Sequence, residues 1–126
     1  MEQSRLRDLR VLVVEDESIV RMLIEDMLGD MGCDVVGVAW TLNDAMEKAK
    51  SLEFDVAILD VNLNNSDTGP VAQIVRARGI PFVFATGYGP AGIPKPFHDD
   101  VPILGKPFQQ SDLESILFTT LVGQAG

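Results

Sequence analysis

The sequence contains a single cysteine and no long apolar run, and each shortage excludes a class of protein. Cys33 alone cannot form an intramolecular disulfide, and the N-terminal segment MEQSRLRDLR lacks the apolar core of a secretory signal peptide. The longest apolar runs, such as residues 11–14, are far shorter than the stretch of about 20 residues that a membrane-spanning helix needs. We therefore expect a cytoplasmic protein with no membrane insertion.

Basic residues are scarce as well. The chain has 10 Lys and Arg against 19 Asp and Glu, which gives a formal net charge of −9. A surface of this charge repels nucleic-acid phosphates and anionic lipids, so direct nucleic-acid binding is not expected. The 126 residues suit one domain, and we predict a single domain over residues 1–126 with its core at about residues 9–122.

Strand and helix patterns alternate along the chain. Apolar runs predict five strands, within RVLVVEDE, DVVGVAW, FDVAILDVNL, IPFVFAT and VPILGKPF. Helices are predicted over residues 18–31 with Ser18 as the cap, from residue 41, over residues 70–78, and after a cap at Ser111. This alternation predicts an α/β fold in which a parallel sheet carries helices on both faces.

Apolar residues at helical spacing predict the buried face of three helices. The predicted stripes are Ile19, Met22, Leu23, Met27 and Leu28 in the first helix, Leu42, Ala45, Met46 and Ala49 in the second, and Leu113, Ile116, Leu117 and Leu121 in the last. Trp40 and Cys33 are interpreted as core or near-core residues.

Polar side chains collect where the predicted strands end. Glu15 and Asp16 follow the first strand, Asp60 ends the third, Thr86 ends the fourth, and Lys106 lies at the end of the fifth. Ligands bind at this edge of open parallel sheets. Crowded carboxylates repel unless a cation joins them, and an oxygen site with room for water and phosphate favours Mg²⁺. With Asp60 as nucleophile, and Lys106 and the Thr86 hydroxyl binding the incoming oxygens, the set fits phosphoryl transfer.

Two lysines compete for this role, because PKPF at Lys95 resembles GKPF at Lys106. We assign Lys106, since it follows an apolar strand and precedes a capped helix, whereas Lys95 lies between prolines in a loop. The only histidine, His98, stands beside two aspartates and is interpreted as a solvated residue rather than a phosphorelay site.

The segments VVEDE, AILDVNL, FAT and LGKPF, in this order, closely resemble the receiver domain of bacterial two-component response regulators over essentially the whole chain. The resemblance implies a CheY-like, flavodoxin-like fold with a five-stranded parallel sheet of order 2-1-3-4-5. It also implies that Asp60 accepts a phosphoryl group, with Lys106 as the family's lysine. By the same resemblance, Mg²⁺ would be held by Glu15, Asp16, Asp60 and the backbone carbonyl of Asn62.

The resemblance further implies how such a protein acts. It would be a stand-alone response regulator, a monomer or weak homodimer, phosphorylated by a histidine kinase or phosphotransfer protein and signalling by phosphorylation-dependent binding of a downstream protein. It would catalyse only its own phosphorylation and dephosphorylation, so it is not expected to be an enzyme. The stretch FATGY resembles the FAT GUY subgroup of receivers, with Thr86, Gly87 and Tyr88 as the switch.

Some positions depart from the family pattern, and other functions are compatible with parts of it. Ile103 occupies the place of an aromatic switch residue, and prolines at 90, 94 and 96 predict a fourth helix that is short, irregular or mobile. A haloacid-dehalogenase-like phosphatase also uses an aspartyl phosphate, but here Asn62 replaces its second acid. A flavin mononucleotide binder would need a phosphate loop where EDESIV stands. A third alternative is a receiver-like module that binds its partner constitutively.

Overall fold

The computed structural model describes residues 6–87, 92–93, 97 and 101–125. Its elements are β1 (Arg10–Val14), α1 (Ser18–Asp30), β2 (Asp34–Ala39), α2 (Leu42–Ser51), β3 (Val56–Asp60), β4 (Asn62–Leu63), β5 (Ser66–Asp67), α3 (Gly69–Ala77), β6 (Phe82–Thr86), β7 (Ile103–Gly105) and α4 (Gln110–Ala125). The predictions on Tyr88, Lys95, His98 and the fourth family helix lie outside the described residues.

Five strands form one parallel sheet in the order β2-β1-β3-β6-β7. This is the predicted order 2-1-3-4-5 when the two short strands β4 and β5 are left out of the numbering. The strands are continuous apolar runs because successive side chains point to opposite faces of the sheet, and each face is covered by its own hydrophobic core. In β1, for example, Leu12 and Val14 pack with α2 and α3 on one face, and Val11 and Val13 pack with α1 and α4 on the other.

The register of the sheet brings the predicted polar residues to one edge. Val14, which precedes Glu15, pairs with Leu59, and Asp60 pairs with Ala85. Thr86 pairs with Gly105, directly before Lys106. Parallel pairing therefore places the ends of β1, β3, β6 and β7 side by side.

The predicted stripes of α2 and α4 are confirmed, but that of α1 is only partly correct, because Met27 and Leu28 pack in the core whereas its other three members do not. Ile19, Met22 and Leu23 are exposed by 74%, 61% and 51%, whereas Ile24 and Leu28 are buried. The α1 sequence is apolar around more of its circumference than one contact face can cover. The face that meets the sheet is the one centred on Ile24 and Leu28, with Val20 and Met27 packed at its sides.

Two predicted helix caps are also wrong. Glu17 is the N-cap of α1 and makes no side-chain cap bond, so Ser18 is already helical. In α4 the helix begins before Ser111, and the Asp112 carboxylate accepts a hydrogen bond from the Gln109 amide at 2.8 Å. The carboxylate thus reaches back over three residues to satisfy a free amide at the start of the helix, as the acid of a capping box does.

Trp40 is not a core residue, because half of its surface is exposed. It follows the edge strand β2, and the Arg21 guanidinium lies over its ring at 4.5 Å. Cys33 agrees better with its near-core interpretation: it is partly buried against the α1–α4 core, and this burial raises the pKa of its thiol to about 11.

The polar loop predicted after β3 contains a small antiparallel hairpin, β4–β5. Its turn residues, Asn64 and Asn65, have positive φ angles of 48° and 69°. Asparagine tolerates this left-handed conformation better than most residues do. Among the described residues, no helix is long and apolar enough to cross a membrane.

Candidate functional site

Three carboxylates meet at the carboxyl ends of β1 and β3. Glu15, Asp16 and Asp60 each place an oxygen within 4.8 Å of those of the other two. Glu15 is almost completely buried and Asp60 is 7% exposed, so neither charge is well solvated. The sequence predicted this cluster, and the structure brings all three residues together.

Lys106 reaches into the cluster from the loop after β7. Its Nζ donates to Glu15 Oε1 at 2.7 Å and lies 3.3 Å from Asp60 Oδ2. Its backbone amide donates to the Thr86 carbonyl at 2.8 Å, which holds the start of the loop against β6. The structure therefore places Lys106 at the predicted edge of the sheet, in contact with two of the three carboxylates.

The surroundings change the protonation of Asp60 and Lys106 in a coupled way. Burial, followed by the charge of Glu15, raises the pKa of Asp60 to about 7, against the opposing effect of Lys106. Burial disfavours the charged form of Lys106, but its hydrogen bond with Glu15 and the charge of Asp60 outweigh this and raise its pKa. One lysine therefore does not fully compensate the buried negative charge.

Backbone contacts hold Asp60 in place. The Asn62 amide donates to Asp60 Oδ1 at 3.3 Å, which turns the chain back over the carboxylate. The fully buried Thr68 hydroxyl donates to the carbonyl of Asp60 at 2.7 Å and to that of Val61 at 3.1 Å. The carboxylate thus stands on a segment tied to the start of α3.

Asp16 and Glu15 are held from two further elements. The Asn64 amide, in the β4–β5 turn, donates to Asp16 Oδ2 at 3.0 Å. Glu15 Oε2 accepts from the Glu17 amide at 3.1 Å, and Arg21 in α1 donates to the Glu15 carbonyl at 3.1 Å. Both acids are therefore oriented toward the cluster by hydrogen bonds.

A cleft of about 750 Å³ opens beside the cluster and is lined by Asp60, Asn62, Thr86, Gly87 and Lys106 among others. Thr86 is 2% exposed and directly follows Ala85, the strand partner of Asp60. The cleft is large enough for a phosphoryl group with its ion and waters. The predicted phosphoacceptor, lysine and hydroxyl therefore share one cavity wall.

The sequence interpretation missed Thr68 and Asn64. Thr68 precedes a Gly-Pro helix start, where a hydroxyl is expected to cap the helix, yet here it binds carbonyls of the preceding strand segment. Asn64 and Asn65 form an Asn-Asn pair, which is a signal for a tight hairpin turn. That signal was available, but the strands on either side have only two residues each.

The donor set fits a hard divalent cation. Its side-chain ligands would be carboxylates alone, which suits Mg²⁺ better than zinc. The raised pKa of Asp60 shows that further positive charge would be favourable there.

Comparison with known proteins identifies the family. A profile of the response regulator receiver domain matches residues 11–118, which include every residue of the cluster. The chain belongs to the receiver domain family. This CheY-like receiver is thus a two-component signalling module, and receivers of this kind typically bind Mg²⁺ at such an acidic pocket.

Two relatives illustrate the similarity. The receiver is 33% identical over 107 residues to the transcriptional regulatory protein PdtaR of Mycobacterium tuberculosis, covering 82% of this chain and 52% of PdtaR. The chain thus spans about half the length of that curated relative. The solution structure of SdrG from Sphingomonas melonis Fr1 has a TM-score of 0.80 and 38% identity, and the match covers 90% of this chain and 96% of SdrG. The BeF3-activated conformation of SdrG, from Pseudomonas melonis Fr1, matches with a TM-score of 0.76 and 37% identity over 92% of this chain and 98% of that one.

Proposed function

We propose that this receiver accepts a phosphoryl group on Asp60 from a histidine kinase or phosphotransfer protein in a Mg²⁺-dependent reaction, and signals by phosphorylation-dependent binding of a downstream protein. The observation that carries the proposal is the position of Asp60: its carboxylate lies 3.3 Å from the Lys106 ammonium, within the acidic cluster and on the wall of an open cleft.

The chemistry follows from the residues present. A carboxylate oxygen of Asp60 attacks the phosphorus of the donor, the bond from phosphorus to the donor nitrogen breaks with its electron pair on nitrogen, and an acyl phosphate forms. Lys106 and the Thr86 hydroxyl would each bind a phosphoryl oxygen. The metal, held by Glu15, Asp16, Asp60 and the Asn62 carbonyl, would neutralise charge on the carboxylates and on the incoming group.

The ionisation of Asp60 supports a requirement for metal. With its pKa raised to about 7, much of the carboxyl is protonated near neutral pH and cannot attack. A bound cation favours the ionised form. The receiver is therefore proposed to catalyse only the phosphorylation and dephosphorylation of its own aspartate.

Intact-mass spectrometry tests the proposal. With acetyl phosphate or phosphoramidate and Mg²⁺, the wild type is expected to gain one phosphoryl group, and Asp60→Asn to gain none. Asp26→Asn, an exposed position on α1, is the matched control and should react like the wild type. Phosphorylation that persists in Asp60→Asn would refute the assignment, and no reaction in the wild type would favour a constitutive binding module.

The finer assignment concerns the switch. We propose that the chain belongs to the FAT GUY subgroup, on the basis of FATGY at residues 84–88 and the buried Thr86 at the end of β6. In this proposal the Thr86 hydroxyl senses the phosphoryl group, and Gly87 and Tyr88 carry the change to the partner surface. Gly87 is exposed on the wall of the cleft, which is compatible with this role.

A further inference from the structure

The β4–β5 hairpin contacts two of the three carboxylates: the Asn62 amide in β4 donates to Asp60 Oδ1 at 3.3 Å, and the Asn64 amide in the turn donates to Asp16 Oδ2 at 3.0 Å. Glu15 and Asp60 both lie beside the Lys106 ammonium, whereas Asp16 accepts a hydrogen bond from the Asn64 amide in the hairpin turn. Asp16 is also the most exposed of the three acids. Repulsion from the other two carboxylates would drive an untethered Asp16 side chain toward solvent. The Asn64 amide opposes this movement.

The hairpin turn is itself fixed at several points. The Asn65 amide donates to Asn62 Oδ1 at 2.8 Å, and the Asn64 side-chain amide donates to the Trp40 carbonyl at 3.3 Å. The first bond closes the hairpin turn, and the second attaches the hairpin to the residue that follows β2. Its turn also depends on the positive φ angles of Asn64 and Asn65.

We propose that the hairpin is a positioning element for the metal site, in which the Asn64 amide holds the Asp16 carboxylate ready for a divalent cation. This inference rests on the proposed function, because it assumes that Asp16 is a metal ligand. Asn64 does not itself contact the ion in this scheme. The hairpin sets the metal affinity through the orientation of Asp16, and metal binding in turn stabilises the hairpin, since coupling between two sites is reciprocal.

Asn65 offers a matched pair of variants, because the structure shows only its backbone amide in a hydrogen bond. Asn65→Gly keeps that amide and adopts a positive φ without steric cost. Asn65→Val also keeps the amide, but a β-branched residue strains the turn. Amide NMR titration with MgCl₂ is expected to give a similar dissociation constant for Asn65→Gly and wild type. For Asn65→Val we expect a dissociation constant about five-fold to thirty-fold higher. This factor corresponds to the free-energy cost of placing one residue in the left-handed conformation.

The same spectra contain a second measurement that needs no variant. In the wild type, Mg²⁺ is expected to slow hydrogen exchange of the Asn64 amide, because a fixed Asp16 carboxylate strengthens its hydrogen bond. This measurement distinguishes positioning of Asp16 from a general loss of stability. Because it uses the wild type, it still tests the proposal if Asn65→Val does not fold.

The outcomes separate the inference from the proposed function. Equal dissociation constants for the Gly and Val variants, or an Asn64 exchange rate that Mg²⁺ leaves unchanged, would overturn the positioning role while Asp60 phosphorylation still stood. A wild type that binds no Mg²⁺ would overturn both the inference and the metal requirement.

Discussion

At the scale of single residues, the site is a balance between buried negative charge and one ammonium group. Asp60 shares Lys106 with Glu15, which forms the shorter contact at 2.7 Å against 3.3 Å. Lys106 therefore offsets burial and the Glu15 charge only in part at Asp60, and the pKa of Asp60 stays raised. This balance makes folding depend on pH.

The first prediction concerns this dependence. Because the pKa of Asp60 is raised to about 7 in the folded state, the folded state retains a proton that the unfolded state has lost above pH about 4. The associated stability is present below that pH and is lost as the pH rises through about 7. Urea unfolding in EDTA should therefore show a decrease on the order of 2–4 kcal/mol between pH 5 and 8.

Asp60→Asn is the control, because it cannot titrate and should show a much flatter profile. A wild-type profile that rises over this interval would contradict the sign of the shift.

The second prediction concerns Thr68. Valine has the same shape without the hydroxyl, so Thr68→Val leaves the carbonyls of Asp60 and Val61 without that donor. We expect the free energy of unfolding to fall by about 1–3 kcal/mol and Asp60 phosphorylation to slow. In Thr120→Val the lost hydroxyl bond, to Ile116, lies within α4, so only stability should change. Equal phosphorylation rates in both variants would show that Thr68 does not position the aspartate.

At the scale of secondary-structure elements, the strands were predictable and the orientation of α1 was not. Short, continuous apolar runs are typical of strands covered on both faces, and parallel strands need crossover connections, which are usually helices. In α1, however, two apolar stripes compete, and only the contact with the sheet decides between them. The hairpin is held by tertiary contacts of Asn64 with Asp16 and Trp40 that sequence spacing does not reveal.

A third prediction follows from the exposed stripe of α1, defined by Ile19, Met22 and Leu23. Leu23 also lines the cleft, so the stripe borders the proposed phosphorylation site, and we expect it to dock the protein that donates the phosphoryl group in the proposed reaction. Met22→Ser should slow transfer from a phosphorylated kinase or phosphotransfer protein at least five-fold, while leaving acetyl phosphate reactivity unchanged. An equal loss with both donors would indicate damage to the site rather than loss of a docking surface.

The fourth prediction belongs to the β6–β7 edge. Thr86→Ala should still bind BeF3⁻ with Mg²⁺ at Asp60, but amide shifts beyond Gly87 and in β7 should be lost, because the proposed sensing hydroxyl is absent. Thr86→Ser retains a hydroxyl and should restore them. If Thr86→Ala transmits the same shifts as the wild type, another group senses the phosphoryl analogue.

At the scale of the whole molecule, the carboxylates of the cluster are part of an acidic excess that gives the chain a net charge of −9. The position of each residue after a predicted strand was enough to place all five at one edge, because the carboxyl ends of parallel strands meet at the same edge of the sheet. These residues are Glu15, Asp16, Asp60, Thr86 and Lys106. The protonation state of Asp60 was not predictable, since it depends on burial and on which carboxylate Lys106 approaches most closely. The excess of negative charge at the cluster does, however, predict that a bound cation raises the free energy of unfolding of the whole domain.

The fifth prediction is that Mg²⁺ stabilises the fold. At ten times its dissociation constant, the ion should raise the free energy of unfolding by about 1.4 kcal/mol by mass action. Asp16→Asn should lose most of this gain and be more stable than the wild type in EDTA, because one repulsive charge is removed. Melting curves that MgCl₂ leaves unmoved would contradict a metal site at the acidic cluster.

The exposed position of Trp40 has a practical consequence. It is the only tryptophan of the chain, its ring is stacked under the Arg21 guanidinium, and its carbonyl is joined to the hairpin by Asn64. Tryptophan fluorescence therefore reports on a single position beside the site, and no dye has to be attached. A change in the stacked cation or in the hairpin alters the quenching of that emission, so stopped-flow mixing can follow events at the site on the millisecond timescale in the unmodified protein.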